Sequence, residues 1–133
     1  MNQIIIDATN YPLGRLASFA AKQALFGRSV IIINCNYAVI SGRKPSIVSK
    51  YKKARARKST AFKGPNFPRT PERIVKRTVR GMLPYRKGKG NETFKRVICY
   101  NETPNEYENS QKIKSQKPIT HKVITLKELS RIV

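Results

Sequence analysis

Residues 3–34, QIIIDATNYPLGRLASFAAKQALFGRSVIIIN, decide the fold. Gln3-Ile4-Ile5-Ile6-Asp7 is a β-branched run, predicted as a strand buried on both faces. Ala8 to Pro12 turn the chain. From Leu13 to Phe26, Leu13, Leu16, Ala17, Ala20, Ala21, Ala24 and Leu25 recur at helical spacing, so all seven are expected to face inward. Gly27 stands where a helix ends on a left-handed residue. Val30-Ile31-Ile32-Ile33-Asn34 reads as a second buried strand. Strand, helix and strand over roughly thirty residues form a βαβ unit, hence a parallel pair with a right-handed crossover.

Outward from this unit, Ala38-Val39-Ile40-Ser41 is too short to assign to strand or helix. Gly42-Arg43-Lys44-Pro45 turns the chain into a helix expected over about Ser46 to Arg57, with Ile47, Val48, Tyr51 and Ala54 as its apolar stripe. Residues 59–69 form a Pro/Gly loop. At TPERIVKRTVRGMLPYRKGKG (70–90) the signals are strong. Thr70 is the expected N-cap, Pro71 suits the first helical position and Glu72 the first turn. Ile74, Val75, Thr78, Val79, Met82 and Leu83 fall on one side, and Arg73, Lys76, Arg77 and Arg80 on the other. Pro84 stops the helix. Arg86 to Gly90 reads as a flexible cationic tail that orders only against an anion. Lys95 to Tyr100 is a further expected strand, and 101–118 an expected mobile loop. Val123-Ile124 is extended. Thr125 to Glu128 fits a capping box, opening a short helix with Leu126, Leu129 and Ile132 on its apolar side.

The 133 residues suffice for a single domain, 1–133, and carry a formal net charge of +21. The charge is uneven. Residues 1–40 hold three Lys/Arg and one acid, residues 97–133 six and four, and residues 43–96 nineteen and two. So large an excess within one folding pattern exceeds what solubility requires and is the footprint of a nucleic-acid binder. A cationic helix face without acids repels itself unless an anion lies against it. Because the cations spread over two helices, two loops and a Gly-rich tail, an irregular RNA surface fits better than a DNA groove.

The candidate RNA contacts follow the chain. Arg15 lies at the start of the first helix. Arg43, Lys44, Lys50, Lys53, Arg57 and Lys58 mark the second, and Lys63 and Arg69 the loop. Arg73, Lys76, Arg77 and Arg80 form the outer face of the 70–83 helix. Tyr85, Arg86, Lys87 and Lys89 follow it, and Lys95 and Arg96 open the strand expected over 95–100. Among the aromatics beside these cations, Phe62 and Tyr85 read equally as base-stacking platforms or as anchors. Phe67 and Phe94 read as packing residues.

Chemistry has little to draw on. The turn DATNYPLGR holds one glycine, Gly14, where a dinucleotide fingerprint needs three, and no phosphate loop is present. Gly14 is read as letting the helix start approach a partner, protein or phosphate. Asp7, at a strand end, is either a site carboxylate or a turn cap. His121 is the one histidine. With Cys35 and Cys99 it cannot close a four-ligand zinc site unaided, and the two thiols read as buried and reduced. No long apolar span or signal-peptide pattern is visible, so the expectation is a soluble, intracellular protein that is not exported.

With these residues in view, the chain resembles the universal large-subunit ribosomal protein L13 family in its archaeal and eukaryotic form. The matching stretches are IIDATNYPLGRLAS (5–18), VIIINCNYAVISGRK (30–44), FPRTPERIVKRTVRGMLPYRKGKG (67–90), FKRVICY (94–100) and VITLKELS (123–130). The resemblance implies a three-layer α/β/α domain on a small, mostly parallel four-stranded sheet, with basic RNA-binding extensions. It implies a cytoplasmic role in the large ribosomal subunit, with large-subunit rRNA and neighbouring ribosomal proteins as partners, and a part in subunit assembly. It implies no cofactor, no reaction, no membrane and no small-molecule substrate. Two other classes are weighed beside it: a small nucleotide-using enzyme with Asp7 and Arg15 at its site, and a free DNA-binding protein.

Overall fold

Gln3–Asp7 (β1) and Ser29–Ile33 (β2) pair in parallel, Ile4 opposite Val30 and Ile6 opposite Ile32, with the helix Leu13–Leu25 (α1) between them in sequence. The expected βαβ unit is therefore present. The computed structural model describes residues 3–56, 68–84, 86–115 and 122–132. Gly27 ends the helical segment at φ +91, a conformation that favours glycine. Leu13, Leu16, Ala17, Ala20, Ala21 and Ala24 are buried as expected. Leu25 is not: it is the last residue of α1, on the rim of the stripe, and is 46% exposed.

Val97–Cys99 (β4 below) joins the other side of β2, also in parallel, giving the order β1-β2-β4. At the far edge of β1, Ile113 adds a parallel bridge: Asp7 N–H donates to its carbonyl at 2.8 Å, and its own N–H donates to Ile5 O at 2.9 Å. The sheet is thus three parallel strands with a one-bridge fourth position. The 101–118 stretch, expected to be mobile, supplies that bridge. It also carries a 3-10 turn at Asn105–Tyr107. Its anchors are single residues in a polar background, which periodicity does not detect.

Residues 38–41 resolve as a strand, Val39–Ser41 (β3), antiparallel to Val123–Thr125 (β5), with β4 lying between them in sequence. This ribbon is tied to the βαβ unit through Val39 N–H to Tyr11 O at 3.1 Å, and Leu126 N–H to Ala38 O at 2.9 Å extends its pairing into the last helix. The second helix runs Lys44–Ala56 (α2), anchored by buried Ile47. The third is Pro71–Gly81 (α3), with Pro71, Ile74, Val75 and Val79 buried. The last is Leu126–Ile132, where Thr125 Oγ1 accepts from the Glu128 N–H at 3.2 Å, the expected cap.

Alternation along β1 and β2 sorts the core. Ile6, Val30, Ile32 and Val97 meet α1, α3 and the last helix in one cluster. Ile5, Ile31 and Ile33 face the other way, where Tyr100 and Tyr107 pack on them with ring centroids 6.2 Å apart.

Two expectations around α3 need correction. Thr70 stands at the N-cap position, but its hydroxyl makes no cap bond and is buried without a partner among the described residues. The cap comes from Asn101, whose Oδ1 accepts from the Glu72 N–H at 2.9 Å. Met82 is 44% exposed, because α3 ends at Gly81 and the next residue leaves the helical register.

The largest departure is Gly88–Lys95, a helix (α4) where a flexible tail was expected. Its two glycines argue against a helix by propensity. Contact with the preceding turn decides otherwise. Lys87 N–H donates to Pro84 O at 3.0 Å, and Gly90 is buried so tightly that a Cβ would sit 1.8 Å from that carbonyl oxygen. With α4 in place, the final helix Leu126–Ile132 is α5.

The glycines give an opposed pair of predictions. Gly90→Ala must displace backbone and should cost about 2–3 kcal/mol. Gly14, also helical, has nothing within 4 Å of a built Cβ, so no close partner for it lies among the described residues. Gly14→Ala should stabilise by about 0.5–1 kcal/mol. Urea denaturation of both variants checks this, and equal effects would contradict the packing at Gly90.

Candidate nucleic-acid interface

The cations expected to bind RNA divide by what their charged ends meet. Arg96 donates from its guanidinium to Ala24 O at 3.3 Å, one residue from the end of α1. Lys76 donates to Phe94 O at 3.0 Å and to Val97 O, and its ammonium lies 4.3 Å from the centre of the Phe94 ring. Arg69 Nε donates to Ser130 O at 3.2 Å, in the last turn of α5. All three supply donors and positive charge to helix C-termini, whose last carbonyls lack intrahelical partners. Lys44 pairs with the Glu128 carboxylate, linking α2 to α5. These four side chains, read from the sequence as RNA contacts, also bond to the domain's own elements, with Lys44 and Arg69 still exposed. Burial pushes the Lys76 pKa down, opposed by the nearby Cys99 sulfur. Phe94 is half-buried, in keeping with its expected packing role.

Most of the remaining described candidates are exposed. Arg15 is exposed on α1; Arg43 just before α2 and Lys50 and Lys53 on it are exposed, as is Arg73 on α3. Arg86 and Lys87 lead into α4, and Lys89 and Lys95 lie on it, all four exposed. Arg77 and Arg80 are half-buried on α3. The first turns of α2 and α4 contain no acid. Positive helix ends and added cations there repel each other unless an anion is near. Arg57, Lys58, Lys63 and Tyr85 lie outside the described residues, as do Phe62, Phe67 and His121. α3 and β4 border a groove of about 310 Å3, which gathers Glu72, Arg73, Lys76, Lys95, Val97, Ile98 and Cys99. No spacing in the sequence announces it, since its two sides lie on separate elements.

Asp7 is a cap. Its Oδ1 accepts from Thr9 N–H at 3.0 Å, Thr9 Oγ1 at 2.7 Å and Asn34 Nδ2 at 3.1 Å. Asn34 is held in turn, in a left-handed conformation at φ 58, by the Thr103 hydroxyl donating to its Oδ1 at 3.0 Å. Burial raises the Asp7 pKa, but the bonds from Thr9 and Asn34, with Lys114 nearby, outweigh it and hold the carboxyl below its ordinary 3.8. This carboxylate, weighed above as catalytic, is committed to the turn between β1 and α1. Cys35 is buried and Cys99 half-buried, and both are free thiols. The Cys99 thiol, then burial, push the Cys35 pKa up. Among the described residues no three His, Cys, Asp or Glu side chains gather as metal ligands, and no helix is long and apolar enough to cross a membrane.

Fold and surface define a class: a basic α/β domain with an outward cationic array and with its strand-end carboxylate committed to a turn. The chain belongs to the ribosomal protein L13 family, whose model matches residues 1–106. The large ribosomal subunit protein uL13 of Methanocaldococcus jannaschii is 46% identical over 130 residues, covering 96% of this chain and 94% of that one. Those of Picrophilus torridus and Archaeoglobus fulgidus are 41% and 40% identical over 133 residues, covering 98% and 96% of this chain and 96% and 85% of theirs. A member of a ribosomal protein family is a structural component of a cytoplasmic particle and not an enzyme.

Two predictions test these assignments. Lys76→Met should lower stability by about 1–2 kcal/mol, because half-buried carbonyls lose their donor. The same substitution at exposed Lys50 should leave the urea midpoint unchanged, and identical behaviour would count against Lys76 as a cap. For Asp7 the folded pKa lies below the unfolded one. Its contribution is therefore present above the unfolded value and is lost as pH falls through the folded value. Asp7→Asn should be less stable than the parent at neutral pH, with the gap narrowing below about pH 4. Denaturation curves across that range give the comparison, and a constant gap would argue against an ionised cap.

Proposed function

We propose that this chain is a structural constituent of the large ribosomal subunit, a single domain over 1–133 that binds large-subunit rRNA and supports subunit assembly beside neighbouring ribosomal proteins. One observation carries the reading. Within 43–96, where nineteen Lys/Arg stand against two acids, most described cations are exposed residues although the chain has its own uses for some of them. The relatives' shared description as large-subunit proteins supports the particle.

The contacts proposed are Arg15, Arg43, Lys50, Lys53, Arg73, Arg86, Lys87, Lys89 and Lys95, with Arg77 and Arg80 at the border of the core. Arg57, Lys58, Lys63 and Tyr85 stay in the proposal on sequence grounds. Lys44, Arg69, Lys76 and Arg96 shape the surface while their donors serve the protein. Phosphate contacts fix register, and the irregular spread of cations over α1, α2, α3 and α4 suits folded RNA more than a regular groove.

Binding should weaken steeply with salt. About 6–10 phosphate contacts predict a loss on the order of 10³–10⁵ in affinity between about 50 and 200 mM salt. Filter binding of a large-subunit rRNA transcript against random duplex DNA makes the measurement. A flat log–log plot would overturn the phosphate-contact reading, and equal affinity for the duplex would favour a DNA-binding protein.

A further inference from the structure

The groove between α3 and β4 has an unusual lining for a surface that binds only backbone phosphates. One wall is β4, the edge strand of the parallel sheet, where Ile98 is 46% exposed. Arg73 and Lys95 stand exposed along it, and the Lys76 ammonium lies in its wall with donors turned to Phe94 O and Val97 O. Glu72 is the single acid lining it. Three cations against one carboxylate favour an anionic occupant. The exposed isoleucine favours a flat apolar face, and the carboxylate can accept hydrogen bonds but not donate them. A volume of about 310 Å3 suits one nucleotide.

We propose that this groove takes a single unpaired guanine nucleotide of the bound RNA. The assignment rests on the RNA-binding reading above and names a ligand within it. The phosphate lies on Arg73 and Lys95, the base packs on Ile98, and the guanine N1–H and N2–H donate to the two oxygens of Glu72. Sequence-specific recognition of RNA works on such splayed bases. Guanine is singled out because its Watson–Crick edge offers two parallel N–H donors, matching a carboxylate in the way a guanidinium does. Adenine and cytosine present one amino group beside a ring nitrogen that would face the carboxylate lone pair to lone pair. Uracil presents one N–H between two carbonyls.

The test is an amide NMR titration of the full-length protein with GMP, AMP, CMP and UMP in turn. GMP is expected to shift the amides of Glu72, Arg73 and Val97 to Cys99, and to bind about tenfold tighter than AMP, within the range of one bidentate base contact. Glu72→Gln keeps the side-chain shape and the backbone N–H that Asn101 caps. It should bring GMP to the level of AMP, weaken binding to a large-subunit rRNA transcript by about tenfold, and leave the salt slope unchanged. Equal shifts with all four nucleotides, or GMP shifts away from 72–73 and 97–99, overturn the proposal. So does perturbation of those amides by hexaglutamate but not by GMP, which would make the groove a protein site. Full transcript affinity in Glu72→Gln rejects the guanine contact while leaving the RNA reading intact. Failure of the unaltered protein to bind the transcript rejects the RNA reading itself.

Discussion

The structure depends on the double burial of β2. Val30, Ile31, Ile32 and Ile33 are all buried, on alternate faces, and the strand pairs on both edges. Such a strand is stable only with two partners and a cover on each face. β1 is near in sequence, reached through α1. β4 begins at Val97, and parallel pairing requires a crossover between it and β2. Everything from Asn34 to Arg96 is that crossover. Its ends are fixed by the sheet, and it carries nineteen of the chain's twenty-eight lysines and arginines.

This arrangement explains how a chain of net charge +21 holds a region that repels itself. The crossover is pinned by buried side chains: Ile47 from α2, Ile74, Val75 and Val79 from α3, Thr93 from α4. Some of its cations are spent internally. Arg69, Lys76 and Arg96 lie on carbonyls at the ends of α5, α4 and α1, where the helix dipole favours them, and Lys44 meets Glu128. Most other described cations of the segment are exposed, spread over several elements. The same cationic segment thus both helps organise the domain and carries most of its exposed positive charge.

The groove between α3 and β4 follows from the same constraint. β4 is an edge strand, since β2 occupies its other side. Lys76 reaches across from α3 to Val97 O on that strand and to the end of α4. It fixes the spacing of the walls, with Arg73 and Lys95 left on the solvent side. A lysine that looks like a nucleic-acid contact acts here as a strut for its neighbours.

The sequence by itself determined the βαβ unit, the stripe of α3, the capped start of α5 and the block of charge. Each is a local pattern: β-branched runs, helical recurrence, a threonine three residues before a glutamate, a count of cations. Tertiary structure alone decided what the weaker patterns do. Gly88 to Lys95 is helical because Gly90 lies against the Pro84 carbonyl. Ile113 is part of the sheet because β1 had a free edge. Asn101 rather than Thr70 caps α3, because the chain returns past it after β4. Whether a lysine faces RNA or a carbonyl was equally hidden. Residue type sets the charge, but only the fold sets which acceptor lies within 3 Å of it.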